Sequence, residues 1–181
     1  QLFGIYPGAW VQFKNFWTMN VNLDWQPESN DFYEARATGK VFRSPATYGY
    51  TVNFNSNSAK RYSAGAMVSS RKKYLMDGSG LLLNFWQTYR FSDKFSVSTD
   101  ILSDPRFSYV GWADSDNGAT VFSRYDRRTV ESVISGRYTF TPTMGLTLRT
   151  RHYWSDRKNL DFYTLGADGK LTPNPAYAKN V

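Results

Sequence analysis

Trp17-Thr18-Met19-Asn20-Val21-Asn22-Leu23-Asp24-Trp25 alternates apolar and polar residues at every step, and it opens and closes on tryptophan. A period of two places Trp17, Val21, Leu23 and Trp25 on one face of an extended strand, and Asn20, Asn22 and Asp24 on the other. Eight residue steps at ~3.3 Å make about 26 Å of strand, which covers roughly 20 Å of height when tilted by ~40°. An aqueous sheet can alternate in this way but has no need of a tryptophan at each end. A membrane strand does, because its aromatic rings sit at the two water–lipid interfaces.

The same alternation recurs on both sides of this stretch. Residues 33–41 set Tyr33, Ala35, Ala37, Gly39 and Val41 against Glu34, Arg36, Thr38 and Lys40. Residues 47–55 set Tyr48, Tyr50, Val52 and Phe54 against Thr51 and Asn53. Further strands are read over 62–69, 81–91, 95–101, 130–140 and 144–154. A less regular one over 3–13 is interrupted by Pro7-Gly8. In total about nine strands emerge, mostly of the ~9–11 residues a tilted membrane strand needs. The expected fold is an all-β, antiparallel transmembrane barrel. Its lipid-facing residues would be Trp17, Val21, Leu23, Trp25, Tyr50, Phe54, Phe85, Val97, Ile134 and Leu148. Its lumen-facing charges would be Glu34, Arg36, Arg90, Asp100, Glu131, Arg137, Arg149 and Arg151.

Composition agrees. Aromatic residues make up 18% of the 181 residues, yet the chain is hydrophilic on average, as expected when aromatics ring the outside and polar groups fill the inside. No stretch approaches the ~20 apolar residues of a membrane helix. There is no cysteine, so disulfides and thiolate metal sites are excluded. The net charge of +7 is spread along the chain with no basic helix or aromatic RNA-reading motif, so nucleic acid is not an expected partner.

Ser92-Asp93-Lys94 and Thr141-Pro142-Thr143 read as tight turns, and 103–120 and 155–181 as long loops. Barrels pair short periplasmic turns with long external loops. Simple alternation puts 26–31 and 57–60 with the tight turns, and 43–46 and 72–79 with the long loops. It leaves 14–15 as a very short external turn. Asp168-Gly169, between Phe162–Leu165 and Lys170-Leu171, signals a type I′ hairpin. Its aromatics Phe162, Tyr163 and Tyr177 are read either as packing on neighbouring loops or as contacting a partner. An odd strand count leaves edges that lipid does not tolerate, so more strands are expected beyond Val181.

A set of words in the second half of the chain carries a family resemblance: Ser135-Gly136-Arg137-Tyr138-Thr139-Phe140-Thr141-Pro142, then Leu146-Thr147-Leu148-Arg149-Thr150-Arg151-His152-Tyr153-Trp154-Ser155, then Phe162-Tyr163 and Leu165 to Leu171. Upstream, Asp31 to Arg36, Phe42 to Pro45 and Ser58 to Arg61 also fit. The chain resembles the C-terminal barrel of a family of large Bacteroidota outer-membrane proteins of unknown function. Those proteins carry an N-terminal domain similar to carbohydrate-binding module family nine. The resemblance implies an outer-membrane location, a soluble N-terminal domain outside this chain, and about two further strands, as an even-numbered barrel needs. It implies no catalytic residue.

The residues offer little chemistry. His152, the one histidine, falls by parity on the outward face, where a Ser-His-Asp triad could not assemble. Asp114-Ser115-Asp116-Asn117-Gly118 begins like a calcium loop but has Tyr125 where the chelating Glu belongs. No catalytic, metal or cofactor site is expected, and the chain is read as a non-enzyme. The inward charges are mainly basic, which suits either a charge-paired lumen or an anion-favouring pore. Bulky inward residues, among them Phe32, Phe42, Trp86 and Tyr153, predict a narrow or blocked lumen. The function expected is a membrane anchor or conduit for a larger envelope protein. Alternatives are an interaction scaffold in a secretion or glycan-uptake assembly and, more remotely, an outer-membrane enzyme. Partners would be outer-membrane lipid and other outer-membrane proteins.

Overall fold

A computed structural model describes residues 3–116 and 118–177. Its strands are β1 (Gly8–Gln12), β2 (Thr18–Gln26), β3 (Ser29–Asp31), β4 (Phe42–Ser44), β5 (Thr47–Asn55), β6 (Tyr62–Lys73), β7 (Ser79–Arg90), β8 (Phe95–Ser103), β9 (Arg106–Asp116), β10 (Ala119–Thr141), β11 (Met144–Leu165) and β12 (Leu171–Pro173). Among the described residues the only helical element is a 3-10 turn at Leu75–Asp77. Ten strands form one antiparallel sheet in the order β1-β2-β5-β6-β7-β8-β10-β11-β12, with β9 against β10 and β7, and β3-β4 stand apart as a hairpin.

Cross-strand register carries the alternation across the sheet. Val21 pairs with Val52, Val52 with Val68, and Val68 with Leu83. The row continues through Ser103 and Val130 to Trp154. The next row runs Met19, Phe54, Ala66, Phe85, Ile101, Ser132, His152. Directly paired residues share a face, so one face of the sheet is mainly apolar, with Ser103, Ser132 and His152 toward its β8–β11 side. The opposite face runs Asn20, Asn53, Met67, Asn84, Leu102, Glu131, Tyr153.

Burial runs opposite to that of a water-soluble sheet. Leu23, Tyr50, Phe85, Ile134 and Leu148 are exposed, Leu148 to 70%, whereas Asn20, Asn53, Asn84 and Asp100 are half-buried. A soluble protein turns its apolar face inward. Aromatics gather at the end of the sheet with short connections. Tyr89, Phe91, Phe95, Tyr138 and Phe140 touch in sequence with ring centroids 4.7–6.2 Å apart, and Trp17 packs on Phe54 at 5.0 Å. A second group, Tyr48 with Tyr74 at 5.4 Å, lies at the far end.

Three expectations are corrected. Residues 33–41 are not a strand. The Asp31 carboxylate accepts hydrogen bonds from the Tyr33 and Glu34 N–H groups, turning the chain, and Arg36 (φ 48) and Gly39 (φ 79) are left-handed. The middle of that alternation's apolar half is Ala35, Ala37 and Gly39, which hold a strand weakly. As a result 26–31 lies at the same end as 43–46 and 74–78, and residues 14–15 join 57–60, 92–94 and 141–143 at the short-connection end. The awkward external turn disappears.

Residues 103–120 are not a loop. β8 and β9 run in one lane between β7 and β10, interrupted at Asp104-Pro105. Pro105 has no N–H to give the ladder, and its carbonyl accepts from Leu81 N at 3.1 Å. β10 and β11 continue alongside, pairing from Val121↔Thr164 down to Thr141↔Met144. The 23 residues of β10 span about 75 Å at ~3.3 Å each, or roughly 58 Å of height at a ~40° tilt, more than twice an apolar band of ~25 Å. The Asp168-Gly169 hairpin forms, but Gly169 alone is left-handed (φ 79) and Gly166 N bonds Lys170 O. This is a wider turn than type I′, held from outside by Arg43 N on the Gly169 carbonyl at 2.9 Å.

Candidate functional site

Two regions concentrate polar chemistry: the half-buried face of the sheet and a cap at the end with long connections. On the polar face Arg90, Asp100, Glu131, Arg137, Arg149 and Arg151 lie together by register. Arg151 bonds Glu131 at 2.8 Å, Arg71 faces Asp24 at 3.4 Å, and Asn84 Nδ2 donates to Asp100 at 3.5 Å. Trp86 packs on Gly65, where a Cβ would sit 2.4 Å from the indole. The ten residues read as outward, Trp17, Val21, Leu23, Trp25, Tyr50, Phe54, Phe85, Val97, Ile134 and Leu148, share the apolar face. Gln87, the misfit there, accepts a hydrogen bond from the Tyr62 hydroxyl at 3.0 Å.

Glu34 and Arg36 are not on a sheet face. With the loop they occupy, they fold onto β9 and β10. Glu34 Oε1 accepts from Trp112 N at 3.0 Å, and the Arg36 guanidinium stacks 4.4 Å from the Trp112 ring. Lys40 Nζ donates to Gly118 O and Thr120 Oγ1 at 2.9 and 3.0 Å. Beneath them Ala35, Phe42, Phe122 and Leu165 form a buried cluster joined by Tyr163 and Leu171. Residues from the β2–β5 connection thus close over strands that sit far across the sheet.

Where β6, β7 and β9 meet lies a basic recess that sequence reasoning missed. Asp104 accepts from Arg106 at 2.9 Å and from Arg127 at 3.0 Å. Lys73 and Arg106 lie over the Tyr109 ring at 4.6 and 5.4 Å. Lys73, Asp104, Arg106 and Tyr109, with Arg71 and Leu82, line a cavity of about 180 Å³. Burial, and after it the charge of Arg106, lowers the Lys73 ammonium from its ordinary range. The signal for this site was Asp104-Pro105-Arg106, a strand interruption flanked by opposite charges.

A family model described as a domain of unknown function, DUF5916, matches residues 2–181. The chain belongs to the DUF5916 family. No curated protein and no solved structure matches it.

The acidic stretch of this DUF5916 chain makes a contact other than the calcium loop considered above. Asp114 Oδ2 accepts from the Tyr177 hydroxyl at 2.5 Å, and its Oδ1 from Ser115 N; Asn117 lies outside the described residues. Tyr177 also packs on Phe162 at 5.0 Å. The hydrogen bond to Asp114 pushes the Tyr177 phenol up to about 12 and, with Ser115 N, holds Asp114 low. A raised phenol stabilises the contact fully below its unfolded value of about 10 and loses that effect as pH climbs through the folded value. The lowered carboxyl contributes above its unfolded value of about 3.9 and is lost as pH falls. Tyrosinate absorbance of wild type minus Tyr177→Phe is expected to show one phenol titrating near 12. Asp114→Asn is expected to return it toward about 10. An unshifted difference curve would show that the contact does not form in solution.

Proposed function

We propose that this chain is the wall of an outer-membrane β-barrel that anchors, or provides a conduit for, a larger envelope protein, and that it is not an enzyme. The observation that carries the reading is the inverted burial across β5, β6 and β7, where Tyr50, Phe54, Val68, Leu83 and Phe85 on the apolar face are exposed and Asn53, Met67 and Asn84 on the other face are half-buried. A soluble monomer rarely leaves a contiguous apolar face of many strands exposed. Connection lengths support it too. Residues 13–17, 56–61, 91–94 and 142–143 are short and lie at one end, while the extended β9–β12 region and the cap lie at the other with one short connection, 74–78. That is the periplasmic–extracellular asymmetry of such barrels. Among the described residues β11 has no strand on its outer edge from Met144 to Asp161. In lipid that edge requires a partner, which the further strands implied by the Bacteroidota resemblance would supply. The same resemblance favours an N-terminal carbohydrate-binding-module family nine-like domain and an outer-membrane location.

The cap makes the conduit narrow. Glu34, Arg36 and Lys40 tie it to β9 and β10, and Arg157, stacked on Tyr125 at 3.8 Å, fills the polar side beneath. Planar-bilayer recording of the full-length protein is expected to show no large, steady conductance. Replacing 32–41 with a short Gly-Ser linker is expected to raise it. Porin-like conductance in the wild type would instead support an open pore biased toward anions by the polar-face arginines.

One observation favours the scaffold reading as a second possibility. A cavity of about 430 Å³ opens between β4 and β12, lined by Phe42, Tyr74, Leu75 and Leu171. It is large enough to seat a side chain of another outer-membrane protein. Co-purification of such a protein, lost on Leu171→Arg, would favour this role.

A further inference from the structure

We propose that the apolar face carries a specific seat for one anionic phospholipid at the short-connection end. The proposal rests on the barrel reading above and goes beyond it, because a barrel wall needs only a loosely held lipid annulus.

Phe54, Ala66 and Phe85 occupy one cross-strand row, large, small, large. Ala64 continues the small side along β6, and the Trp17 ring closes one wall against Phe54. The result is a cavity of about 380 Å³ lined by Trp17, Phe54, Tyr62, Ala64, Ala66 and Phe85. It adjoins a second of about 290 Å³ over Val68, Leu83 and Ile101, the two meeting at Ala66 and Phe85. Together they form a track along the strands from the turn toward mid-sheet, with the shape and chemistry of an acyl-chain groove.

The charged group of the track lies at the turn end, where Lys60 borders the larger cavity with Asn15, Ser56 and Asn57; the mid-sheet cavity has only the neutral Asn84 and Ser103 among its apolar lining. The turn is fixed: Ala59 N donates to Asn57 Oδ1 at 2.9 Å, and Lys60 N to Asn57 O at 3.2 Å. Among the described residues Lys60 has no carboxylate partner within ion-pair distance. The connections at this end hold Lys14, Lys60, Arg61 and Lys94 against the single acid Asp93, whereas 27–46 at the other end balances Glu28, Asp31 and Glu34 against Arg36, Lys40 and Arg43. A chain-deep apolar groove ending on an unpaired cation complements a phosphodiester on an acyl chain. Short barrel turns face the periplasm, so the lipid would be an inner-leaflet phospholipid and not lipopolysaccharide.

Native mass spectrometry of the full-length protein in detergent tests the seat. Phosphatidylglycerol is expected to remain bound as one molecule under conditions that strip phosphatidylethanolamine and lipopolysaccharide. Lys60→Glu is expected to weaken phosphatidylglycerol retention about tenfold, since it reverses a charge beside the phosphate. Ala66→Phe, which fills the groove, is expected to abolish retention. Equal retention by Lys60→Glu and wild type, or preferential binding of lipopolysaccharide, would overturn the proposal. Heat-modifiable gel migration and liposome flotation of each variant report the barrel separately. A protein that floats and shifts but holds no lipid disproves the seat alone, and one that does neither disproves the barrel.

Discussion

Val21→Arg and Leu148→Arg are each expected to destabilise the folded protein in lipid by about 2–4 kcal/mol near the midplane, with the cost falling toward the interfaces. The size of the effect distinguishes the two environments this sheet could occupy. In water, Leu148 is 70% exposed, and a polar replacement at such a site changes stability by no more than about 0.5 kcal/mol. Hydrocarbon cannot solvate a guanidinium, so the same replacement there costs several times more. Asn20→Arg supplies the control. It lies one residue from Val21 and therefore on the opposite face, beside Asn53 and Asn22, where a cation meets other polar groups. It is expected to be near neutral. Urea titrations of the full-length variants refolded into vesicles give the three values. Equal stability across all three would remove the facial assignment and the lipid reading with it.

The sheet was legible in the sequence because its signal is repeated. Trp17–Trp25 set the period, and each later strand restated it with β-branched and aromatic residues on one parity, so register followed from side chains that must share a face. What was not legible depends on tertiary contact. Residues 33–41 alternate as regularly as a strand, yet Asp31 turns them and Ala35 is drawn under Phe42 and Phe122. No local rule announces that a small apolar residue will be recruited to a distant core. The β8–β9 lane was hidden by Asp104-Pro105, which reads locally as a stop. It continues because Arg106 and Arg127 neutralise Asp104 and the neighbouring carbonyls hold the ladder across the break. Of the eight charges read as facing the interior, the six on long strands lie together on the polar face. Glu34 and Arg36, on the misread one, do not.

The cap is where that misreading has the largest consequence. Phe122→Ala is expected to cost about 3–5 kcal/mol of local stability, the range for deleting a fully buried aromatic ring. Phe122 is 0% exposed and meets Phe42 with ring centroids 4.8 Å apart. The cap's other attachments are single hydrogen bonds, worth about 1 kcal/mol net for Arg43 N on the Gly169 carbonyl and about 1.5–3 kcal/mol for the charged Lys40 on Gly118, each less than the ring. The ring cluster therefore dominates, and its loss should release the cap as a unit. The strands beneath, held by their own ladders and by whatever surrounds the apolar face, should persist. Amide hydrogen exchange on the full-length protein is expected to show lost protection across 32–46 and 165–171, with β2, β5, β6 and β7 unchanged. Phe42→Leu, which keeps most of the apolar volume, is expected to lose much less. Uniform loss of protection across the sheet would mean that cap and wall fold as one body. Unchanged protection would mean that the cluster does not hold the cap. If the cap narrows the conduit as proposed, Phe122→Ala should also raise single-channel conductance, because the same contact that stabilises residues 32–46 keeps them over the opening.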